Sequence, residues 1–163
     1  MESSVEDPYG ATAPPLYQTA TFAQIDAVQM GEYDYTRSGN PTRTMLEEYW
    51  AELEGGCRGF AYTSGMAALA ACTRLVPQGA TILTGDDIYG GTSRLLAQVV
   101  PDHGVNVVNV DVTDLSAVKA AMTSDVKMVM LESPTNPRMQ ITDLRSITDM
   151  AHEVGALVLV DNS

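Results

Sequence analysis

Lysine is nearly missing from this chain: two of its 163 residues, Lys119 and Lys127. Histidine and cysteine are equally sparse, with two of each, and tryptophan occurs once. Cys57 and Cys72 give neither a disulfide framework nor zinc spacing. Cys57 reads as ordinary chain before a strand and Cys72 as the packed face of an alanine-rich helix, so a reducing compartment suits them. His103 and His152 fall near predicted helix C-termini, where an imidazolium is mildly stabilised, and read as structural. With no His, Cys and carboxylates grouped together, no metal site is expected. Positive charge is short as well: 9 basic against 21 acidic residues leave a net charge of -12 and a pI near 4.3. That balance argues against nucleic acid or an anionic membrane as partner, but not against one small anion met by local arginines and backbone amides. No apolar run reaches membrane-spanning length, and the acidic opening Met1–Asp7 is unlike a signal or transit peptide. A soluble chain is expected.

What is present suits a real core, with 45% hydrophobic residues. Residues 1–40 read as an arm, punctuated by Pro8, Gly10, Pro14, Pro15, Gly31 and Gly39, with a short helix near Phe22–Met30. Asn40-Pro41 starts a helix, asparagine as cap and proline in the first turn, that runs to about Glu54 and stops at Gly55-Gly56. From there strands and helices alternate. Strands are predicted over 59–63, 80–84, 105–110, 127–131 and 156–160, the last buried on both faces. Helices are predicted over 65–75, 91–100, 114–122 and 143–154. In the last helix Leu144, Ile147, Ala151 and Val154 form one stripe. Short apolar strands separated by helices argue an α/β fold, a mostly parallel sheet with helices on both faces.

Polar residues recur where these strands end, the edge at which open α/β sheets bind ligands. Ser64-Gly65-Met66 opens a helix whose first amides lack partners and suit a phosphate, although such a turn is also an ordinary tight connection. Tyr35 and Arg37, two apart in an extended chain, face one side and converge on one anion, or else are two surface residues. Tyr89, before Gly90-Gly91, offers a ring to stack on a planar ligand, or caps the core. Asp86 and Asp87 read as caps of the following helix. Pro134 and Pro137 stiffen a loop that holds Asn136 as an amide donor. Glu132 is either a site carboxylate or the partner of a nearby backbone group. Asp161, ending a buried strand, needs a partner: a ring nitrogen, a backbone amide or an arginine.

Taken together, Asp34-Tyr-Thr-Arg-Ser-Gly-Asn-Pro-Thr-Arg43, Thr63-Ser-Gly-Met-Ala-Ala68, Gly85-Asp-Asp-Ile-Tyr-Gly-Gly-Thr92, Leu131-Glu-Ser-Pro-Thr-Asn-Pro137 and Val160-Asp-Asn-Ser163 closely resemble the pyridoxal-phosphate enzymes of cysteine and methionine metabolism. The segments occur in that family's order and span nearly the whole chain. Asp7–Gly10 and Pro15–Phe22 look most like the plant-type cystathionine β-lyases; cystathionine γ-synthase and γ-lyase are similar. The resemblance implies an aspartate-aminotransferase-like fold, with 1–40 as an arm for dimer and active-site contact and 41–163 as part of the domain that binds pyridoxal 5'-phosphate. It implies that the amides of Gly65 and Met66 hold the cofactor phosphate, and that Tyr35 and Arg37 reach the phosphate of a neighbouring subunit. Tyr89 would stack on the ring, Asn136 would sit near its hydroxyl, and Asp161 would pair with its nitrogen. The implied reaction is β-elimination of L-cystathionine to homocysteine, pyruvate and ammonia in methionine biosynthesis. The implied assembly is a homodimer or homotetramer, in the plastid stroma if plant-like and otherwise in the cytoplasm.

The family's Schiff-base lysine has no counterpart here. Lys119 falls inside a predicted helix and Lys127 at the start of a strand, the opposite edge of the sheet. The 163 residues are therefore expected to be the N-terminal part of a larger catalytic chain and inactive alone. The other expectation is a non-catalytic remnant that dimerises or binds a partner.

Overall fold

A computed structural model of the chain describes residues 9–163, which divide into two compact units, one ending at Ala61 and the other spanning Tyr62–Ser163. The acidic opening and Pro8 lie outside the described residues.

The first unit holds helix α1, Pro41–Leu53. Asn40 is its cap: its side-chain oxygen accepts from the Thr42 N–H at 2.9 Å while its amide nitrogen donates to the Tyr17 carbonyl at 3.0 Å. One buried asparagine thus starts the helix and ties the arm to it. The short helix expected near Phe22–Met30 does not form. The Asp26 carboxylate accepts from the N–H groups of Val28 and Gln29 at 2.8 and 2.7 Å, a local turn that competes with helix formation. Those two amides also hold its carboxyl below the usual carboxylate value. Thr21 instead bridges Tyr35 in antiparallel fashion.

The strand expected over 59–63 is absent too, so Cys57 does not precede one. Its backbone turns to α1: the Ala61 N–H donates to Glu47 Oε1 at 2.9 Å. Gly59 comes so close that a Cβ there would lie 2.2 Å from the Glu47 carbonyl oxygen. Only glycine fits.

The second unit is built on a four-stranded parallel sheet in the order Asn106–Val110, Thr81–Gly85, Val126–Glu132, Leu157–Asp161. Its elements are α2 (Gly65–Thr73), β1 (Thr81–Gly85), α3 (Gly90–Arg94), β2 (Asn106–Val110), α4 (Leu115–Ala121), β3 (Val126–Glu132), α5 (Leu144–Glu153) and β4 (Leu157–Asp161). Helix α3 continues as a π-helical stretch, Leu95–Val99, and a short 3₁₀ turn, Pro101–His103. Alternate residues of the central strands feed two separate cores. Ile82, Met128 and Met130 pack with Leu69, Leu95 and Leu96 on one face. Leu83, Val129 and Leu131 pack with Val118, Ile147 and Ala151 on the other. Each fully buried side chain of this size stabilises the fold by about 1.5–3 kcal/mol relative to exposure.

The stripe of α5 forms as its spacing predicts: Ile147 and Ala151 are buried and Leu144 and Val154 pack beside them. Asp143 caps that helix and accepts from the Ser146 N–H at 3.0 Å, which lowers its carboxyl below the ordinary value. Strand β4 departs from expectation. It is not buried on both faces, since Leu157 is 51% and Val160 39% exposed. The reason is its place in the sheet: among the described residues β3 is its one strand neighbour, so it stands at the edge of these four strands.

Candidate functional site

The carboxyl ends of β1, β3 and β4 and the amino end of α2 surround a cleft of about 820 Å³. It is lined among others by Gly65, Met66, Tyr89, Glu132, Asn136 and Asp161. Helix α2 begins in a tight cap, with Ser64 extended and its Oγ accepting from the Ala67 N–H at 3.1 Å. The amides of Gly65 and Met66, first in the helix, have no intrahelical acceptor and stand at the positive end of its dipole. A Cβ on Gly65 would lie 3.5 Å from the Ser163 hydroxyl, in the space between the helix start and the end of β4. Amides at a helix start of this kind suit an anion.

Tyr89 leads into α3, and its exposed ring lies low because Gly91 has no side chain. A Cβ there would meet the Tyr89 ring at 2.4 Å and the Met66 sulfur at 2.9 Å. The Tyr89 N–H donates to Glu132 Oε2 at 2.9 Å. Glu132 therefore serves a backbone group, one of the two roles its position allowed. Asn136 is exposed on the loop leaving β3. Asp161 ends β4 opposite Glu132 in the strand register, and its Oδ1 accepts from the Ser163 N–H at 3.0 Å. A helix start, a phenol face, an amide and a carboxylate thus line one cleft.

Two expectations need correction. Asp87 does not cap α3, whose cap residue is Tyr89 with no side-chain hydrogen bond. Asp87 is 4% exposed, and a carboxylate so placed needs donors, which it finds in Thr135 and the Arg138 N–H of another loop. Asp86 lies 3.7 Å from the Arg138 guanidinium rather than at a helix start. Tyr35 and Arg37 are not on an extended stretch, because the Ser38 and Gly39 N–H groups both donate to the Tyr35 carbonyl and close a turn. The two side chains still meet, the Arg37 guanidinium carbon 5.0 Å from the Tyr35 ring centroid. Arg43, whose part the sequence did not disclose, braces this turn through the carbonyls of Thr36, Arg37 and Ser38. Tyr35 and Arg37 belong to the first unit. Neither lysine lines the cleft: Lys119 is in the last turn of α4, and Lys127 Nζ donates to the Ser124 carbonyl where β3 begins.

All of residues 1–163 match the family model described as Cys/Met metabolism PLP-dependent enzyme. The chain belongs to that family. Within the Cys/Met metabolism family it is 59% identical over 157 residues to cystathionine beta-lyase, chloroplastic, of Arabidopsis thaliana, a match covering 96% of this chain and 34% of that protein. Among solved structures, cystathionine gamma-lyase from Lactobacillus plantarum, complexed with L-serine, superposes with a TM-score of 0.88 at 43% identity, covering 94% of this chain and 40% of that one. Cystathionine gamma synthase from Xanthomonas oryzae pv. oryzae, in complex with cystathionine, gives 0.89 at 40% identity, covering 96% and 41%. The chain spans about a third of the length of the curated relatives it matches. Its sheet and helices form part of the aspartate-aminotransferase-like fold of these Cys/Met metabolism enzymes. The family is pyridoxal-phosphate-dependent. The cleft fits that group chemically: open helix amides suit its phosphate, a phenol face its ring, and a carboxylate its basic nitrogen.

Proposed function

We propose that this chain supplies the cofactor-facing part of a carbon–sulfur lyase that cleaves L-cystathionine by β-elimination to homocysteine, pyruvate and ammonia, a step of methionine biosynthesis. The observation that carries it is the convergence of Gly65, Met66, Tyr89, Asn136 and Asp161 on one cleft in a family that uses pyridoxal phosphate. The bound cofactor supplies a ring that withdraws electrons from the α-carbon of an amino acid. The amides of Gly65 and Met66 hold its phosphate, and Tyr89 lies against the ring. Asn136 orients the ring through its hydroxyl. Asp161 sets a negative charge against the ring nitrogen. Lysine chemistry comes from outside these residues, so the 163 residues alone do not turn over substrate.

The β reading is supported by the 59% identity to a chloroplastic β-lyase, which also favours a plastid setting. The γ reading draws on solved γ-lyase and γ-synthase relatives at 43% and 40% identity. Products decide. Full-length protein supplied with L-cystathionine should release pyruvate and homocysteine in equal amounts; 2-oxobutyrate and cysteine would establish γ-elimination.

Tyr35 and Arg37, on the arm of residues 1–40, reach the cofactor phosphate of a second copy, making the protein a homodimer or a homotetramer with shared sites. Arg37→Ala in the full-length protein should therefore weaken cofactor retention by roughly 10–100-fold, the span of one charge-assisted hydrogen bond. Turnover of the loaded enzyme should change little, because such binding is common to ground and transition states. Equilibrium dialysis against free cofactor measures the first, and an unchanged affinity removes the arm from the site.

A further inference from the structure

Asp87 has no place in the chemistry above, yet it is the one buried charged residue among the described residues, and its donors come from one place. Its Oδ2 accepts from the Thr135 hydroxyl, and from the Arg138 N–H at 3.1 Å. Its Oδ1 lies 3.8 Å from Arg138 Nε. Thr135 is 1% exposed and relays the attachment, its hydroxyl oxygen accepting from the Gln140 N–H at 3.0 Å. Asn136 lies between Thr135 and Arg138. Both flanks of the exposed amide are thus fastened to a single carboxylate that follows β1. A second tie runs the other way, from Glu132 at the end of β3 to the Tyr89 N–H at 2.9 Å. The two loops that carry Tyr89 and Asn136 hold each other through acidic side chains.

We infer that Asp87 is a positioning residue of the cleft, acting through Thr135 and Arg138 to hold Asn136 where it meets the cofactor ring. The inference rests on the role proposed for Asn136. A carboxylate that merely filled the interior would loosen the unit as a whole; one that positions acts on this loop. Hydroxyl and carboxylate share one proton contact, so loss of either should have the same consequence.

The test uses the full-length protein with four variants: Asp87→Asn, Thr135→Val, Thr135→Ser and Asn136→Ala. Asp87→Asn and Thr135→Val should each weaken pyridoxal phosphate binding by up to about tenfold, the span of one neutral hydrogen bond, with Thr135→Ser close to the unmodified protein. Added to Asn136→Ala, Asp87→Asn should cost nothing further, since groups that act as one unit are not additive. Full additivity, or no rescue by serine, would overturn the inference. Amide exchange separates its failure from that of the Asn136 role. In Asp87→Asn, the Thr135, Arg138 and Gln140 amides should exchange faster while those of β1 and β3 keep their rates. If Asn136→Ala leaves cofactor binding unchanged, the proposed role of Asn136 falls. Unchanged exchange in that loop, or faster exchange throughout the unit, overturns the brace itself.

Discussion

Asp161→Asn in the full-length protein leaves the cofactor bound and lowers turnover of cystathionine by roughly 10²-fold or more, the scale of losing one preorganised electrostatic contact. Asparagine matches aspartate in volume, and its oxygen can still accept the Ser163 N–H that Asp161 Oδ1 accepts at 3.0 Å. The end of β4 therefore keeps its shape. What disappears is a full negative charge at the edge of the cleft, where it would face the ring nitrogen. On the proposed reading the phosphate is held by the amides of Gly65 and Met66, so its binding should be largely spared. Steady-state kinetics with cofactor-saturated enzyme, beside a melting curve to show that the fold is kept, make the measurement. Near-normal elimination would leave Asp161 a structural residue at a strand end.

The second large effect is all or none. Pyridoxal phosphate added to the 163-residue chain and trapped with borohydride should leave no stoichiometric adduct on Lys119 or Lys127. Lys127 is the second residue of β3 and Glu132, at the cleft, the last. Five steps along the strand separate them, roughly 16 Å at the usual rise, more than an extended lysine side chain can cover. Its amine is also directed to the Ser124 carbonyl at 2.9 Å, away from that end. Lys119 belongs to α4, which packs through Val118 on the sheet face of Leu83, Val129 and Leu131, away from the strand ends. Both amines can react weakly, as exposed amines do. Peptide mapping that found one of them fully modified, together with lyase activity, would overturn the assignment of the cleft to the carboxyl edge of the sheet.

The cleft could be anticipated because its parts depend on local order. A strand, a tight turn and a helix start are read along the chain, and parallel strands bring their ends to one edge. Thus Gly65, Met66, Tyr89, Asn136 and Asp161 could be placed together before any coordinates. The misreadings share a different origin. Gly59–Thr63 has strand-like residues, but α1 claims its backbone through Glu47, a long-range contact that no local pattern encodes. Asp87 stands where a helix cap belongs, and only the arrival of Thr135, 48 positions later, gives it another partner. The apolar run of β4 announces burial, while its exposure follows from strand order, which periodicity leaves open. Asp26 is the local exception: its capture of the Val28 and Gln29 amides lies wholly within the segment where a short helix was expected, and it takes that helix's place.

The double-sided packing of β3 governs where this molecule can change. Met128 through Leu131 are all buried, two facing each core, so the strand has no solvent side on which substitutions accumulate harmlessly. Tolerance along it should look like a closed wall rather than the comb of a half-exposed strand. The loop that leaves β3 is the reverse: Asn136, Pro137, Arg138 and Met139 are all exposed, between the buried anchors Thr135 and Thr142. Change that keeps the fold is thereby channelled into the residues just past the strand ends, the same rim that lines the cleft.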